Sequence, residues 1–465
     1  MTFNHPTVIV LLGATGDLAT KKLLPALYDL FVRGELPTHF QLIGAAFDEY
    51  TDDTFREHVT TVVGVDQPQV AEFAARVRYV TGDFMDRKFY ERVTATVHEF
   101  NTFIGQCSNV LYYLAVPPSL YGRMFDQLAE NKSLDICAGT PAWARLLVEK
   151  PFGSDIKTAY ALEEQLQAQF ADEQVYRIDH YLAKHAIENI MTLRFANPLI
   201  EQSWQADCIE SVEVFLYEDF DIGERGNFYD AVGALRDVGQ NHLLQVLALL
   251  LMEPVDVHDA AAVRAARARV VEHLRFDSTQ RPPVRGQYAA YRATPGVAAA
   301  SPTETYFSFG LRSVAPEWVG VAISVAAGKA LARQQQEAVI TFRTSEAAAR
   351  GITYEGDAHT NVLKIQFSPE SGIRLQLVSR EPGHTFGVVA HEYDLVPREA
   401  TIDSGPDAYE RVLLDCIRGD QVRFVSGTEV MAAWRLIETA QAELAARPLV
   451  SYQSGSEPTT IGDDY

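Results

Sequence analysis

Apolar and polar positions along the first third of the chain predict strands and helices in regular alternation. Thr7–Leu12 is an essentially continuous apolar run, which is typical of a parallel strand buried on both faces. Further strand patterns follow, with helical patterns between them, at Phe40–Ala46, Val77–Val80, Asn109–Val116, Arg145–Val148 and Gln174–Ile178. This alternation predicts a doubly wound parallel sheet of the α/β class.

The second half of the chain shows a different pattern, in which strands follow one another with few helices between them. Ile209–Tyr217 alternates as a half-exposed strand does, and similar stretches follow at Glu304–Leu311, Val319–Val325, Ala338–Phe342, Asn361–Phe367 and Ile373–Val378. This succession predicts an α+β domain with a large, mostly antiparallel sheet. The alanine- and arginine-rich stretch Ala260–Arg269 predicts a surface helix. We therefore expect two domains, residues 1–178 and residues 179–465.

A glycine-containing turn follows the first predicted strand and precedes a helical pattern. It consists of Gly13, Ala14, Thr15, Gly16, Asp17 and Leu18. Strand, glycine turn and helix in this order are the context of a pyrophosphate site in a Rossmann-type dinucleotide-binding domain. The G-x-x-G spacing is shorter than the full G-x-G-x-x-G, so an ordinary tight turn is the alternative. Ligands of such sheets bind at the carboxyl ends of the strands, where we expect Gly13, Phe47, Pro117 and Lys150.

The densest polar cluster is Arg177–Lys184, which holds a carboxylate, an imidazole, a phenol and an amine. Apolar positions at helical spacing follow, so a helix is predicted to begin within this stretch. On such a helix His180 and Lys184 share a face, and the helix N-terminus favours an anion. His180, Tyr181 and Lys184 are thus candidates to hold a phosphate, and Asp179 is a candidate to orient a catalytic base. The alternative is a solvated first turn capped by Asp179.

A second polar cluster, Asp237–His242, runs directly into the apolar stretch Leu243–Met252. Together they predict a helix that is buried at its far end and presents its polar start to a cleft. A histidine in that position can serve as a base near neutral pH, so His242 is the candidate base. The alternative is a buried histidine hydrogen-bonded to the backbone.

Composition and charge narrow the classes of function. The chain has 465 residues and a net charge of −22, from 40 basic and 62 acidic side chains, which argues against binding of nucleic acid. The longest apolar run is too short to cross a membrane, and the N-terminus lacks a secretory signal pattern. The four cysteines, Cys107, Cys137, Cys208 and Cys416, are widely spaced. This predicts reduced thiols in a cytosolic protein, without a disulfide framework or a metal site.

Several motifs taken together resemble the glucose-6-phosphate dehydrogenase family over nearly the whole chain. The most specific are Arg177–Leu182 (R-I-D-H-Y-L) and Gln240–His242 (Q-N-H), which follow the glycine turn and Glu149–Gly153 (E-K-P-F-G). Further matching segments are Glu224–Asp230, Val284–Tyr288, Gly328–Lys329 and Asp407–Arg411. The length and the ending Pro448–Tyr452 are similar to the shorter bacterial form.

The resemblance implies oxidation of the C1 hydroxyl of glucose 6-phosphate to the lactone with hydride transfer to NAD or NADP, the first step of the pentose phosphate pathway. It implies His242 as general base and Asp179 as the carboxylate that orients it. The implied substrate-binding residues are Lys22, Lys150, His180, Tyr181, Lys184, Glu218, Asp237, Lys329 and Gln366. The implied cofactor-binding residues are Gly13, Ala14, Thr15, Gly16, Asp17, Leu18, Phe47, Asp48, Pro117, Tyr121 and Lys150. A cytoplasmic homodimer or homotetramer, joined through the second domain, is also implied.

The choice between the two cofactors depends on the loop after the second strand. The family usually has an arginine there, whereas this chain has Phe47, Asp48 and Glu49. An acidic residue at this place bonds the ribose 2′-OH, and an arginine accommodates a 2′-phosphate. We therefore expect a preference for NAD, or dual use, although Thr15 and the lysines of the first turn could still reach a 2′-phosphate.

Two functional alternatives stay open: an oxidoreductase of the glucose–fructose oxidoreductase type and a catalytically silent relative. The R-I-D-H-Y-L and Q-N-H motifs argue against the first, and the retained Asp179, His242 and Lys150 argue against the second. Two departures from the family bear on substrate binding. Ala183–His185 stands in place of the usual Gly-Lys-Glu, and Ala326 stands in place of an arginine.

Overall fold

The computed structural model describes residues 5–135, 137, 139–344, 360–380, 388–395 and 407–462. The chain divides into two compact units. The first comprises Met1–Ala183 with Pro406–Gly427, and the second comprises Lys184–Gly405 with Thr428–Tyr465. The expected boundary lay after residue 178. The first unit instead extends to Ala183 and also takes in Pro406–Gly427. Among the described residues, no helix has the length and apolar composition that a bilayer crossing requires.

The first unit is built on a parallel sheet formed by the apolar runs of the sequence. Its strands are β1 (Thr7–Leu12), β2 (Phe40–Ala46), β3 (Val77–Thr81), β4 (Asn109–Leu114), β5 (Ala144–Val148) and β6 (Val175–Ile178). They lie in the order β3-β2-β1-β4-β5-β6, and each runs parallel to its neighbour. This is the strand order of a Rossmann-type sheet, so the predicted α/β fold is confirmed.

Helices alternate with these strands, as parallel crossovers require. They are α1 (Leu24–Val32), α2 (Asp52–Val63), α3 (Val70–Ala74), α4 (Arg87–Ile104), α5 (Tyr121–Glu130) and α6 (Ile156–Gln169). A π-helical turn, Ala19–Leu23, precedes α1, and Pro25 lies in the first turn of α1. A proline is tolerated there because the first N–H groups of a helix have no partner within the helix.

The second unit carries the remaining long strands. These are β7 (Ile209–Tyr217), β8 (Leu274–Phe276), β9 (Val284–Tyr288), β10 (Tyr306–Ser313), β11 (Ala322–Gly328), β12 (Gln335–Phe342), β13 (Val362–Ser368), β14 (Gly372–Arg380) and β15 (Val388–Asp394). Its helices up to this point are α7 (His185–Phe195), α8 (Pro198–Ser203), α9 (Gly226–Ala234), α10 (Leu244–Leu251) and α11 (Ala260–His273). A π-helical segment, Leu235–Leu243, joins α9 to α10.

The C-terminal part of the chain contributes to both units. Helix α12 (Ala408–Arg418) and strand β16 (Phe424–Val425) belong to the first unit, where β16 pairs antiparallel with β6. Helix α13 (Gly427–Ala445) and strand β17 (Leu449–Tyr452) follow. In the second sheet the order is β15-β14-β13-β12-β7-β11-β10-β9-β17, with β8 beside β10. The β7–β11 and β9–β17 pairs are parallel and the other described pairs are antiparallel, which confirms the predicted sheet.

The stretch Ala260–Arg269 is helical as predicted and forms most of α11, but the prediction that it is a surface helix is wrong. Half of this stretch is buried, including Arg264 and Arg267. The guanidinium Nε of Arg267 donates to Glu429 Oε1 at 2.8 Å, and both side chains are almost fully inaccessible to solvent. A buried charge needs an opposite charge beside it, and here the partner lies 162 positions away in the sequence.

The prediction of four reduced thiols is wrong for two cysteines. Cys107 and Cys137 form a disulfide, with 5.9 Å between their Cα atoms. Cys107 lies just before β4 and Cys137 in the connection from α5 to β5, and the parallel sheet brings these two places to bonding distance. Cys208 and Cys416 are free thiols.

Candidate active site

The glycine turn Gly13–Leu18 lies at the carboxyl end of β1. Gly13 has a φ of +90°, and a Cβ on it would stand 2.3 Å from the carbonyl oxygen of Ala115, so only glycine fits. Gly16 and Asp17 are exposed, which leaves the backbone of the turn open to a ligand. The turn also lies where the strand order reverses between β1 and β4, the position at which such sheets bind a dinucleotide. These residues fit a pyrophosphate.

An acidic group stands at the carboxyl end of the neighbouring strand β2. Thr15 Oγ1 donates to Asp48 Oδ2 at 2.5 Å, and Tyr79 donates its hydroxyl to the carbonyl oxygen of Asp48 at 2.8 Å. The side chain and the backbone of Asp48 are therefore both held. The ring of Phe47 is 56% exposed and packs edge-to-face on Phe84, with 4.9 Å between the centroids.

Glu149 and Lys150 directly follow strand β5, and the bond between Lys150 and Pro151 is cis. Tyr113 donates its hydroxyl to Glu149 Oε1 at 2.6 Å, and Tyr121 donates its hydroxyl to the carbonyl oxygen of Glu149 at 3.0 Å. These two bonds hold both the side chain and the main chain of Glu149, which directly precedes Lys150. Tyr121, an expected cofactor contact, supports this backbone from α5.

Burial raises the pKa of the Glu149 carboxyl from 4.5 to about 7. The hydrogen bond from Tyr113 and the charge of Lys150 act against this rise, and the charge of Asp179 adds to it. The protonated form is therefore favoured in the folded state, and its stabilisation is present below about pH 4.5 and lost as the pH rises through about 7.

We predict that the free energy of unfolding of the wild type falls relative to that of a Glu149→Gln variant by more than about 1 kcal/mol between about pH 5 and about pH 7, since the variant has no carboxyl to ionise. Urea unfolding at a series of pH values measures this difference. A Tyr113→Phe variant, which loses the phenol donor, should shift the window to higher pH. Parallel pH dependence in wild type and Glu149→Gln would contradict the prediction.

The prediction of a helix that begins within Arg177–Lys184 is wrong. Asp179 Oδ1 accepts the backbone N–H of Tyr181 and the Asp179 carbonyl oxygen accepts that of Leu182, both at 3.0 Å. Such local bonds compete with helix formation. The chain therefore makes a turn after β6, and α7 begins at His185, so the helical face predicted for His180 and Lys184 does not form.

The residues of this turn fall into both units. In the first unit Asp179 and Tyr181 are buried, and the half-buried ring of His180 lies parallel to that of Tyr409, with 6.3 Å between the centroids. Lys184 opens the second unit and occupies the position before the first residue of α7. Its place at a helix N-terminus still favours an anion.

The π-helical segment Leu235–Leu243 carries the candidate base. His242 is 1% exposed, and its backbone N–H donates to Asn241 Oδ1 at 2.6 Å. Asn241 Nδ2 in turn donates to the carbonyl oxygen of Asp237 at 3.0 Å. The predicted helix is therefore α-helical only in its apolar part, and its polar part forms wider turns of a kind that is frequent at functional sites.

Glu218 and Lys329 meet where the parallel strands β7 and β11 end. Lys329 Nζ pairs with the Glu218 carboxylate, and it lies 5.0 Å from the ring centroid of Phe220 and 5.7 Å from that of Tyr229. Tyr452 donates its hydroxyl to the carbonyl oxygen of Lys329 at 2.7 Å. Charged donors and acceptors of this kind suit sugar hydroxyl groups.

Tyr229 links this pair to the π-helical segment. Burial raises the pKa of its hydroxyl well above the ordinary value, and the charges of Asp237, Glu304 and Glu218 act in the same direction. Asp237 and Glu218 therefore both lie near one tyrosine. In the second unit Glu218 pairs with Lys329, and the charge of Asp237 acts on the same tyrosine.

The remaining predicted residues are Gln366, Lys22 and Pro117. Gln366 lies on β13 opposite Glu337 of β12, two strands away from β7. Lys22 is exposed in the π-helical turn before α1, and Pro117 is exposed after β4. Their roles stay predictions, as does the pairing of Asp179 with His242.

Sequence reasoning missed the tyrosines that support the charged residues. Tyr113 lies in an apolar strand and Tyr229 in a short helix, and neither position carries a signal that distinguishes it from a core aromatic residue. Tyr452 belongs to the ending Pro448–Tyr452, which the sequence analysis used only for its similarity to the shorter bacterial form. Glu149 belongs to the E-K-P motif, whose lysine alone was singled out.

A Rossmann-type domain with an open glycine turn, followed by a domain that has a large sheet and a buried histidine in a π-helical segment, defines a nicotinamide-dependent oxidoreductase. Residues 10–189 match the family model of the "Glucose-6-phosphate dehydrogenase, NAD binding domain", and residues 191–464 match that of the "Glucose-6-phosphate dehydrogenase, C-terminal domain". The chain belongs to the glucose-6-phosphate dehydrogenase family.

Individual relatives agree with this assignment. Glucose-6-phosphate 1-dehydrogenase of Chlamydia pneumoniae is 34% identical over 451 residues, which cover 93% of this chain and 88% of the relative. A solved glucose-6-phosphate dehydrogenase in complex with its substrate glucose 6-phosphate has a TM-score of 0.89 at 31% identity, covering 98% of this chain and 96% of that one. The enzyme from Mycobacterium avium has a TM-score of 0.83 at 32% identity, covering 97% and 95%.

Proposed function

We propose that the protein oxidises the C1 hydroxyl of glucose 6-phosphate to 6-phosphogluconolactone. The observation that carries the proposal is the buried His242 in the π-helical segment of a chain that belongs to this family. The charged residues Asp237, Glu218 and Lys329 of the same unit support it, because a sugar needs several donors and acceptors.

His242 is proposed to take the proton from the C1 hydroxyl as general base. Asp179 is proposed to hold the His242 ring in the productive tautomer and to stabilise its charged form, as carboxylates do beside catalytic histidines. A bound nicotinamide supplies the hydride acceptor. His180, Tyr181 and Lys184 bind the 6-phosphate, since a phosphate dianion needs cationic and hydroxyl donors.

The remaining roles are divided between sugar and cofactor. The proposed ligands of the sugar hydroxyl groups are Lys22, Lys150, Glu218, Asp237, Lys329 and Gln366. The turn Gly13–Leu18 is proposed to hold the pyrophosphate, with Phe47, Asp48, Pro117 and Tyr121 also on the cofactor side. The open backbone of the turn at Gly16 and Asp17 supports this assignment.

The deciding assay follows reduction of the nicotinamide with glucose 6-phosphate, once with NAD and once with NADP. Turnover with glucose 6-phosphate supports the proposal. Turnover with unphosphorylated glucose and none with the phosphate would favour an enzyme of the glucose–fructose oxidoreductase type. Absence of turnover with either sugar and either cofactor would favour a catalytically silent relative.

We further propose that NAD is preferred, or used as well as NADP. The Asp48 carboxylate accepts a hydrogen bond from Thr15, so a negative charge is held beside the turn proposed to bind the cofactor. A 2′-phosphate would meet this like charge, whereas a ribose 2′-OH can donate to it. The sequence from Gln41 to Phe55 offers no lysine or arginine that would offset the repulsion.

A Phe47→Arg, Asp48→Ser double variant should move the ratio of kcat/KM for NADP to that for NAD upward by ~10-fold or more, which corresponds to about 1.4 kcal/mol. The measurement is kcat/KM for each cofactor at saturating glucose 6-phosphate. Glu49→Ser is the matched control, because it removes the adjacent exposed acid and leaves the Thr15–Asp48 bond. A wild-type ratio more than ~10-fold in favour of NADP would contradict the NAD preference itself.

The proposed assembly is a homodimer or homotetramer joined through the second sheet. Homo-oligomers with closed symmetry are the commonest assemblies. Light scattering should therefore give a mass of two or four times 51.7 kDa. A mass of one chain that does not change with concentration would contradict the proposal.

A further inference from the structure

The second unit contains a cavity that the proposed reaction does not use. Its volume is about 440 Å³, which falls in the range of small-molecule sites. Its walls come from the ends of α7 and α10, from the residues that precede β7, from α11 and from the segment after β10. The nine residues of β7, at about 3.3 Å each, separate these walls from Glu218 by about 30 Å.

A buried cation stands in the cavity wall. Arg194, in the last turn of α7, is 3% exposed and donates to the carbonyl oxygens of Leu249 at 2.5 Å and Met252 at 2.7 Å. Within the described part of the chain, its Nε–H is buried without an acceptor. Burial lowers the pKa of Arg194 to about 9, which is still above neutral, so the guanidinium carries its charge. A buried cation with an unused donor favours an anionic ligand.

The other walls are apolar and aromatic. Trp204 and Trp318 both line the cavity, and their indole N–H groups donate at 2.7 Å to the carbonyl oxygens of Leu250 and Leu251. Both indole donors are therefore satisfied within the protein, and the rings offer apolar surface to a ligand. The guanidinium carbon of Arg194 lies 5.2 Å from the centroid of Trp204, so the cation and an aromatic wall adjoin.

The acidic residues of the cavity lie at its exposed margin. Glu253 and Glu317 both pair with Arg269, at 3.0 Å in the case of Glu253. Asp207 is exposed to solvent, where its charge is screened. The buried part of the cavity therefore carries the positive charge of Arg194, whereas three carboxylates against one guanidinium leave the exposed margin with a net charge of −2, which solvent screens.

We propose that this cavity binds a small organic carboxylate with an apolar, ring-sized body. The carboxylate pairs with Arg194, and the body lies against Trp204 and Trp318. The site is separate from the sugar-binding groups, so glucose 6-phosphate does not compete for it.

The test is calorimetric titration of the full chain with 4-phenylbutyrate, in the absence and presence of saturating glucose 6-phosphate. We expect a Kd below ~1 mM in both cases, a realistic affinity for a ligand of this size. The uncharged 4-phenylbutanamide should bind at least ~10-fold more weakly, since it lacks the charge-assisted bond. Equal affinity for acid and amide, tighter binding of the cation 4-phenylbutylamine, competition by the sugar phosphate, or no binding below ~1 mM would each overturn the proposal.

Substitutions locate the binding within the chain. Arg194→Met removes the cation but also the bonds to the end of α10, so it can destabilise the fold. Val270→Trp fills the cavity and leaves Arg194 in place, because Val270 is a half-buried wall residue of α11. It should abolish binding of 4-phenylbutyrate while steady-state turnover persists. Val65→Trp adds the same ring at an exposed site of the first unit and should bind as wild type does. Unchanged binding in Val270→Trp would place the ligand elsewhere and refute the proposal.

Discussion

Replacement of His242 by alanine is expected to lower kcat by roughly 10²–10⁴-fold, which is the usual contribution of one positioned general base. His242 lies in the π-helical segment and is 1% exposed, and its backbone N–H donates to the side chain of Asn241. Steady-state turnover with glucose 6-phosphate measures the loss. Because the proposed base acts on the reacting hydroxyl, the KM for the nicotinamide cofactor should change much less than kcat.

Two further variants separate chemistry from folding. His242→Gln keeps a polar side chain of similar size without a base, so it should lose as much activity as alanine while its thermal unfolding stays close to that of wild type. His258→Ala removes an exposed histidine of the second unit and should leave turnover unchanged. Wild-type turnover in either His242 variant would remove this residue from the mechanism.

Replacement of Lys184 by alanine is expected to raise the KM for glucose 6-phosphate by roughly 10- to 100-fold, because a lost charge-assisted bond costs ~1.5–3 kcal/mol. Lys184 stands immediately before α7, where the N–H groups of the first turn add to the attraction for an anion. The KM for the cofactor should change little. The measurement is a full steady-state analysis with each substrate varied in turn.

The specificity of the effect for phosphate is the sharper criterion. The variant should lose kcat/KM with glucose 6-phosphate but keep any slow turnover of unphosphorylated glucose, which has no phosphate to bind. Lys364→Ala is the matched control, since Lys364 is a cation of the second unit that pairs with Glu392 at 2.9 Å. If KM for glucose 6-phosphate does not change in Lys184→Ala, the phosphate is held elsewhere, and His180 is the next residue to replace.

Local patterns of apolar and polar residues were sufficient to predict most strands and helices, because burial and hydrogen bonding within such an element depend on nearby residues. Thr7–Leu12 is apolar because β1 is covered on both faces, and the alternation of Ile209–Tyr217 reports one buried and one half-exposed face of β7. The same patterns did not show that the helix after β6 begins only at His185, beyond Arg177–Lys184. There the carboxylate of Asp179 competes for backbone N–H groups, and propensity does not record that competition.

For the candidate site, too, the sequence indicated single residues but not the contacts between distant ones. The glycine turn, Lys150 and the motif histidines stand out in the sequence because their residue types are chemically special in their context. The Glu218–Lys329 pair joins residues 111 positions apart, and only the parallel pairing of β7 with β11 brings them together. The support of Glu149 by Tyr113 likewise depends on the neighbouring strands β4 and β5.

By itself, the sequence determined the class of both domains, the family and the residue types available for base, phosphate and nucleotide. Only the tertiary structure decided that half of the Ala260–Arg269 stretch is buried, that Cys107 meets Cys137, and that a segment near the C-terminus adds β16 to the first sheet. The physical reason is common to all three. Ion pairs, disulfides and strand edges are completed by partners remote in sequence, and no local pattern of apolar and polar positions carries information about where those partners lie.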